Sequence, residues 1–273
     1  MMEIIPIRNP FAGAVTYLTS TTESTQRDAR RLAEARNLPG ARFPPGSVIA
    51  AEAQTAGRGR VPGRKWQSEA GKNLLFTVFL DAGSASLPGL PIRIGGALCS
   101  AASLYAEKTG SSFAGQPKLK WPNDLMLGDR KAAGILCEAG PSGVFAGIGL
   151  NCNQVAFPPE LELKATSLAI ELGREVDRRV LLELFLEALA DSLVDRKWRR
   201  KADERLWKRG ESAIFIPGAA GSGRGRGAIV GTPEGVDEAG SLLFKEKGAT
   251  EAIAYAAGEF RAGKQVDRGP SAL

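Results

Sequence analysis

The stretch KWPNDLMLGDRKAAGILCEAG (residues 120–140) carries the densest structural and chemical signal in the chain. Apolar runs at 118–121 and 132–138 predict two short strands, joined by a polar hairpin-like segment with Gly128 and Asp129 in the turn. Pro122 restrains the backbone ahead of Asn123 and Asp124, an amide and a carboxylate suited to a ligand or to a magnesium-bound phosphate. Lys131 falls on the returning strand, where an ammonium could balance charge developing on a carboxylate oxygen and an α-phosphate during in-line attack. A surface hairpin with an ordinary Lys-Asp pair fits the same residues.

Upstream, GRGRVPGRKW (57–66) follows a predicted strand and places three glycines, three arginines and a lysine in ten residues. The glycines allow backbone N–H groups to converge on an anion, and Arg58, Arg60 and Arg64 supply forked, permanently charged donors. The spacing matches neither GxGxxG nor GxxxxGK[ST], so Rossmann and P-loop assignments fail. An anion or nucleotide loop, a nucleic-acid contact and an exposed basic loop all remain open, and Trp66 fits either core packing or a stacking wall for a planar base. A second GRGR, at 223–226, lies in a Gly/Ser-rich loop and predicts no chemistry.

Composition narrows the chemistry further. The 273 residues contain no histidine, which removes Ser-His-Asp and Cys-His systems and imidazole metal sites and leaves Lys, Arg, carboxylates, amides and the backbone. Cys99, Cys137 and Cys152 are odd in number and far apart, so they read as small apolar side chains rather than a disulfide or zinc framework. The net charge of +6 resides in RKWRRKADERLWKR (196–209), where eight cations face two acids, and the rest of the chain sums to zero. A solvated helical face explains such a run, and steering of an acidic partner is a second reading. No apolar run spans a bilayer and no signal peptide is evident, which predicts a soluble, cytoplasmic protein.

Along the chain, strands are predicted at 4–7, 47–54, 73–80 and 144–154, and helices after Ser24 or Thr25 and over 95–108. Residues 177–209 predict helix, with Leu182, Phe185, Leu186, Leu189 and Leu193 as its apolar face and Asp177 as a cap. From 210 onward SAIFI, GAIVG, GSLLF and EAIAYAA predict a small β-barrel-like domain. The mixture indicates α+β rather than strict βαβ winding.

KWPND followed by KAAGIL, with AGRGRVPGRKW upstream, GIGLNCN downstream and ESTQ at 23–26, resembles the biotin protein ligases over about residues 17–262. The resemblance implies an α+β core with a mixed, mainly antiparallel sheet, like that of class II aminoacyl-tRNA synthetases and biotin ligases, over 1–209, and a small SH3-like barrel over 210–273. It implies activation of biotin by ATP and Mg²⁺ to biotinyl-5′-AMP and transfer to one lysine of a biotin carboxyl carrier protein domain. Ser24, Thr25 and Gln54 resemble contacts to the biotin ureido ring, and Gly57, Arg58, Gly59 and Arg60 a loop closing over biotin and the adenylate, with Arg60 retaining the intermediate. Arg64 and Trp66 resemble phosphate and adenine contacts, Asn123 an amide near the phosphates, and Asn151 a ribose- or phosphate-side asparagine. Lys131 resembles the principal catalytic lysine and Gly134 a close-approach glycine, while Asp124 is a candidate orienter of the acceptor amine.

Gln26 stands where Asn is common, and Pro62 adds a residue to the compact GRGRxGR form. The 22 residues ahead of Glu23 are too few for a winged helix-turn-helix domain, so the expected type is monofunctional, without DNA or membrane partners, and its pairing as a homodimer is left open. The alternatives are a lipoate or octanoyl transferase of the related fold and a nucleic-acid-binding regulator.

Overall fold

A computed structural model describes residues 2–35, 43–61, 63–218 and 227–261. The first sheet has eight strands: β1 (Glu3–Ile4), β2 (Thr16–Thr22), β3 (Val48–Gln54), β4 (Leu74–Asp81), β5 (Lys118–Lys120), β6 (Asp124–Leu127), β7 (Arg130–Gly140) and β8 (Gly143–Leu150). Their order is β1-β2-β3-β4-β8-β7-β6-β5. Only β2 and β3 run parallel, connected through helix α1 (Thr25–Ala35), and every other neighbour is antiparallel.

Three sequence expectations are corrected. The 118–138 region forms three strands, because the short run from Asp124 to Leu127 is a strand whose Leu125, Met126 and Leu127 are buried, and the tight turn falls at Trp121–Asn123. Gly128 occupies the next turn at φ 59°, as the composition indicated. The N-terminal strand stops at Ile4, since Pro6 has no N–H to donate to a ladder. Finally, α3 starts at Leu90 and continues to Lys108, passing through the Gly95–Gly96 pair where the sequence suggested a beginning. Gly95 sits in the helix because Leu119 of β5 packs where its Cβ would be.

The sheet is covered unequally. On one face α3 and α5 (Arg178–Val194) build the main core, in which Phe185 meets Phe76 edge-on at 5.4 Å and 70°. The predicted apolar face of α5 is buried throughout, and Asp177 accepts from the N–H groups of Arg179 and Val180. On the opposite face α1 packs Ala29 and Ala33 on Ile49, Phe79 and Phe145, with Phe43 beside them. Over the rest of β7 and β8 that face carries no helix among the described residues and is crossed by the side chains of Trp66, Gln26 and Lys131. Two short helices complete this part, α2 (Ala82–Ala85) and α4 (Leu168–Leu172), the latter capped by Ser167.

The basic run divides into α6 (Trp198–Arg205) and a return segment, in which Trp207 N–H donates to Leu119 O. A second, antiparallel sheet follows, with β9 (Ala213–Pro217), β10 (Ile229–Val236), β11 (Leu242–Glu246), β12 (Ile253–Tyr255) and β13 (Gly258–Arg261) in the order β12-β11-β10-β9-β13. Phe215, Phe244 and Phe260 form its centre. It meets the first sheet through Trp121, which stacks edge-on against Phe215 and donates Nε1–H to Gly240 O. The second GRGR and Pro62 lie outside the described residues.

Replacing Phe185 with Ala removes a fully buried ring from the α5–sheet contact and is expected to destabilise the fold by about 3–5 kcal/mol, read from urea unfolding. Phe185→Leu should lose much less. Equal stability of the two variants would show that this contact does not anchor the core.

Candidate active site

The part of β7 and β8 that no helix covers is low because of its residues. The register pairs Gly134 with Gly149 and Leu136 with Gly147, and successive residues alternate between faces, so three glycines share the open side. They floor a narrow cleft with about 70 Å³ of free space. Ser24, Thr25 and Gln26 at the start of α1 form one wall, with Gln54 at the end of β3. Arg58, Gly59, Arg60 and Trp66 form a second wall, and Asn123 and Lys131 a third.

Polar contacts fix the first wall. Gln54 Oε1 accepts from Thr25 N–H at 2.8 Å, which leaves the Gln54 amide hydrogens for another acceptor. Thr25 and Thr77 hydroxyls meet at 2.9 Å. Gln26 reaches across Gly147, and its Nε2 donates to Leu136 O and Phe145 O, tying α1 to both floor strands.

The glycine-rich segment is a small hairpin. Arg58 bridges Lys65, Gly59 N–H donates to Arg64 O, and Trp66 N–H donates to Gly57 O. The N–H groups of Gly59, Arg64 and Trp66 are thus used internally, and the idea of an anion cradled by successive amides gives way to one met by guanidinium groups. Arg58 lies 3.5 Å from Glu138, Arg60 donates to Gly258 O at 3.0 Å, and Arg64 pairs with Glu259 at 2.8 Å. Both of the latter partners belong to β13, so the second sheet holds the hairpin. Burial pulls the Arg60 guanidinium below its usual pKa, against the opposing influence of Asp124 and Glu259. Trp66 lies on the floor, where a Cβ on Gly149 would overlap its indole, and its Nε1 is buried without a hydrogen-bond partner.

Lys131 is aimed by a bulge at Ala132 of β7, opposite Leu125 and Met126, which shifts the β6–β7 register. Its Nζ stands 2.7 Å from Asp124 Oδ1 and 5.6 Å from the Trp66 ring centroid. The contact is ionic rather than an aligned hydrogen bond, since Oδ1 has no hydrogen-bond partner. The Lys131 backbone is clamped as well, donating to Lys164 O and accepting from Thr166 N–H. Asn123 Nδ2 donates to Ile135 O at 2.7 Å, leaving Oδ1 as an acceptor at the cleft. Lys120, whose pKa burial lowers, rests 5.2 Å above the Trp207 ring behind this wall.

Of the residues singled out by sequence, Ser24, Thr25, Gln54, Arg58, Gly59, Arg60, Trp66, Asn123, Lys131 and Gly134 come together at the cleft. Four stand back from it. Gly57 is buried beneath Trp66, Arg64 points to Glu259, and Asp124 sits behind Lys131. Asn151, 4% exposed, donates Nδ2–H to Thr166 O and so supports the segment that clamps Lys131. Sequence reasoning missed Gly147, Gly149, Glu138 and Glu259. The two glycines could have been found from their period-2 spacing in a strand, but nothing in the sequence linked Glu259 to Arg64 across 195 positions. Among the described residues, no three His, Cys, Asp or Glu side chains cluster as a metal site.

The profile of the Biotin/lipoate A/B protein ligase family matches residues 18–154. A biotin--[acetyl-CoA-carboxylase] ligase of Paracoccus denitrificans is 31% identical over 86% of this chain and 96% of its own length. The bifunctional ligase/repressor BirA of Bacillus spizizenii is 34% identical over 60% of this chain, and the match spans about half (49%) of that relative. Among solved structures, the biotin protein ligase from Aquifex aeolicus in complex with biotin and ATP superposes with a TM-score of 0.73 at 26% identity, covering 91% of this chain and 99% of that one. The extent of these matches, together with the glycine-floored cleft and its lysine, shows that the chain belongs to the biotin/lipoate A/B protein ligase family, among the biotin protein ligases.

Proposed function

We propose that the protein activates biotin with ATP and transfers the biotinyl group to a lysine of a biotin carboxyl carrier protein domain. The observation that carries this is Lys131, held by Asp124 over the Gly134–Gly149 floor and faced by Arg58 and Arg60. That arrangement suits two anions brought together above the glycine floor.

Biotin lies on the floor, with Ser24, Thr25 and the free amide hydrogens of Gln54 at its polar ring. Its carboxylate oxygen attacks the α-phosphorus of ATP, forming the acyl phosphate bond as pyrophosphate leaves. Lys131 and the arginines offset charge that is concentrated in the transition state, while the hairpin keeps water from the mixed anhydride. The carrier lysine then attacks the carbonyl carbon, an amide forms and AMP departs. Asp124 orients the incoming amine, Trp66 stacks on the adenine, and Arg64 exchanges Glu259 for phosphate. Asn151 acts on the ribose or phosphate side by holding Thr166, and with it Lys131.

Mg²⁺ fits the donor set as a companion of the triphosphate. Asn123 Oδ1 and one Asp124 carboxylate are few ligands, and magnesium commonly takes one or two protein oxygens with the rest from phosphate and water. It supplies charge neutralisation. A division into a catalytic domain over 1–209 and an SH3-like barrel over 210–273 belongs to the same proposal, as does a cytoplasmic place of action. Among the described residues no helix is long and apolar enough to cross a membrane.

Incubation with biotin, ATP, Mg²⁺ and a purified carrier domain should raise the carrier's mass by one biotinyl group. An unmodified carrier, or modification by lipoate in preference to biotin, defeats the proposal. In the same system, Lys131→Met should lower biotin-dependent ATP–pyrophosphate exchange at least about 100-fold, close to 2.7 kcal/mol of barrier. Exchange at the wild-type rate would remove Lys131 from the mechanism.

Arg60→Ala should leave exchange measurable and speed release of biotinyl-AMP about tenfold, the scale of one charged hydrogen bond. Stopped-flow release as slow as wild type would contradict the retaining role.

A further inference from the structure

The charge excess of the chain is not spread over the surface. Arg196, Lys197, Arg199 and Arg200 surround Trp198 in a second groove, with Pro88 and Glu238 at its edges. The support beneath them is rigid. Trp198 packs against Gly89, at 2.5 Å from where a Cβ would stand, and the Arg93 guanidinium lies 4.8 Å over the indole. Arg93 in turn donates to Ser192 O and Asp195 O, fixing the α5–α6 junction.

Within the groove, carboxylates reach two of the four cations. Arg199 and Arg200 reach Glu238 and Glu204 only at 3.6 and 3.5 Å, and Glu238 is 94% exposed. Among the described residues, no salt bridge joins Arg196 or Lys197 to a carboxylate. Exposed pairs of this kind add little stability, so folding does not account for the cluster.

The other end of the run adjoins the cleft. Trp207 N–H donates to Leu119 O, and its ring carries both Lys120 and Lys208, at 5.2 and 5.4 Å. Lys120 opens the KWPND segment and pairs across the turn with Asp124, the partner of Lys131. The segment after α6 is thereby tied to the strand that leads into KWPND, where Lys208 is itself paired with Asp129 and Glu211.

We propose that this groove forms the docking surface for an acidic face of the carrier protein, guiding its lysine to the cleft. The proposal rests on the carrier-modifying function given above. Steering by a one-signed surface raises encounter rates and weakens with salt. Nucleic acid suits the surface less well, because its evenly spaced phosphates would meet the carboxylates of Glu238 and Glu204 set among the cations, whereas a protein face can place a cation opposite each.

The test uses the full chain with Arg196→Glu and Lys197→Glu combined, two exposed positions outside the cleft. Biotin-dependent ATP–pyrophosphate exchange should stay within twofold of wild type, while kcat/KM for a purified carrier domain at low ionic strength falls about tenfold. Added salt should slow wild-type transfer and barely affect the variant. Unchanged carrier kcat/KM overturns the proposal, as does a loss of exchange that matches the loss of transfer. Duplex DNA binding that the variant loses while transfer is unaffected assigns the surface to nucleic acid and overturns it too. If the wild-type chain exchanges pyrophosphate yet modifies no carrier, the carrier function itself fails, and the docking surface with it.

Discussion

A cross-strand pair of glycines, Gly134 on β7 and Gly149 on β8, is the constraint around which the rest of the cleft is organised. Sheet residues alternate between faces, so glycine at 134, 147 and 149 clears that part of one face for the side chains of Trp66, Lys131 and Gln26, while Ile135 and Ile148 keep the other face buried in the core. The strands retain their hydrogen-bond ladder and their packing on α3 and α5, and they lose only the atoms that would fill the cleft. Trp66, Lys131 and Gln26 all occupy space that a Cβ at one of these glycines would contest.

Around that floor, reactive groups are held by contacts distant in sequence. The bulge at Ala132 of β7 aims Lys131, Asp124 compensates its charge, and Asn151 acts through Thr166 to brace its backbone. The hairpin is secured from the second sheet by Gly258 O and Glu259. The second sheet therefore supports the arginine wall. Trp121, between the strand turn and Gly240, makes the same junction from the opposite direction.

Much of this was legible in the sequence, for identifiable reasons. The 3.6-residue spacing of Leu182, Phe185, Leu186 and Leu189 located α5, and the KWPND and GRGR strings located two of the three walls, because local chemistry and local structure coincide there. Strand β6 was missed since four residues carry too little periodicity beside a proline turn. The onset of α3 was misplaced because Gly95 looks like a breaker, yet it exists to admit Leu119. Arg64 and Asn151 were read as ligand contacts on motif position alone. Their partners Glu259 and Thr166 are set by tertiary packing, which a linear pattern does not express.

The central claim is that the floor glycines let Trp66 lie flat on the sheet and so leave room beside it for biotin. Calorimetric titration of biotin into wild-type protein and Gly149→Val tests this most directly, with thermal unfolding measured in parallel. The account predicts that wild type binds biotin and that the variant, still folded, shows no measurable binding, since the added side chain takes the floor and displaces Trp66. Wild-type affinity in a folded Gly149→Val protein would contradict it.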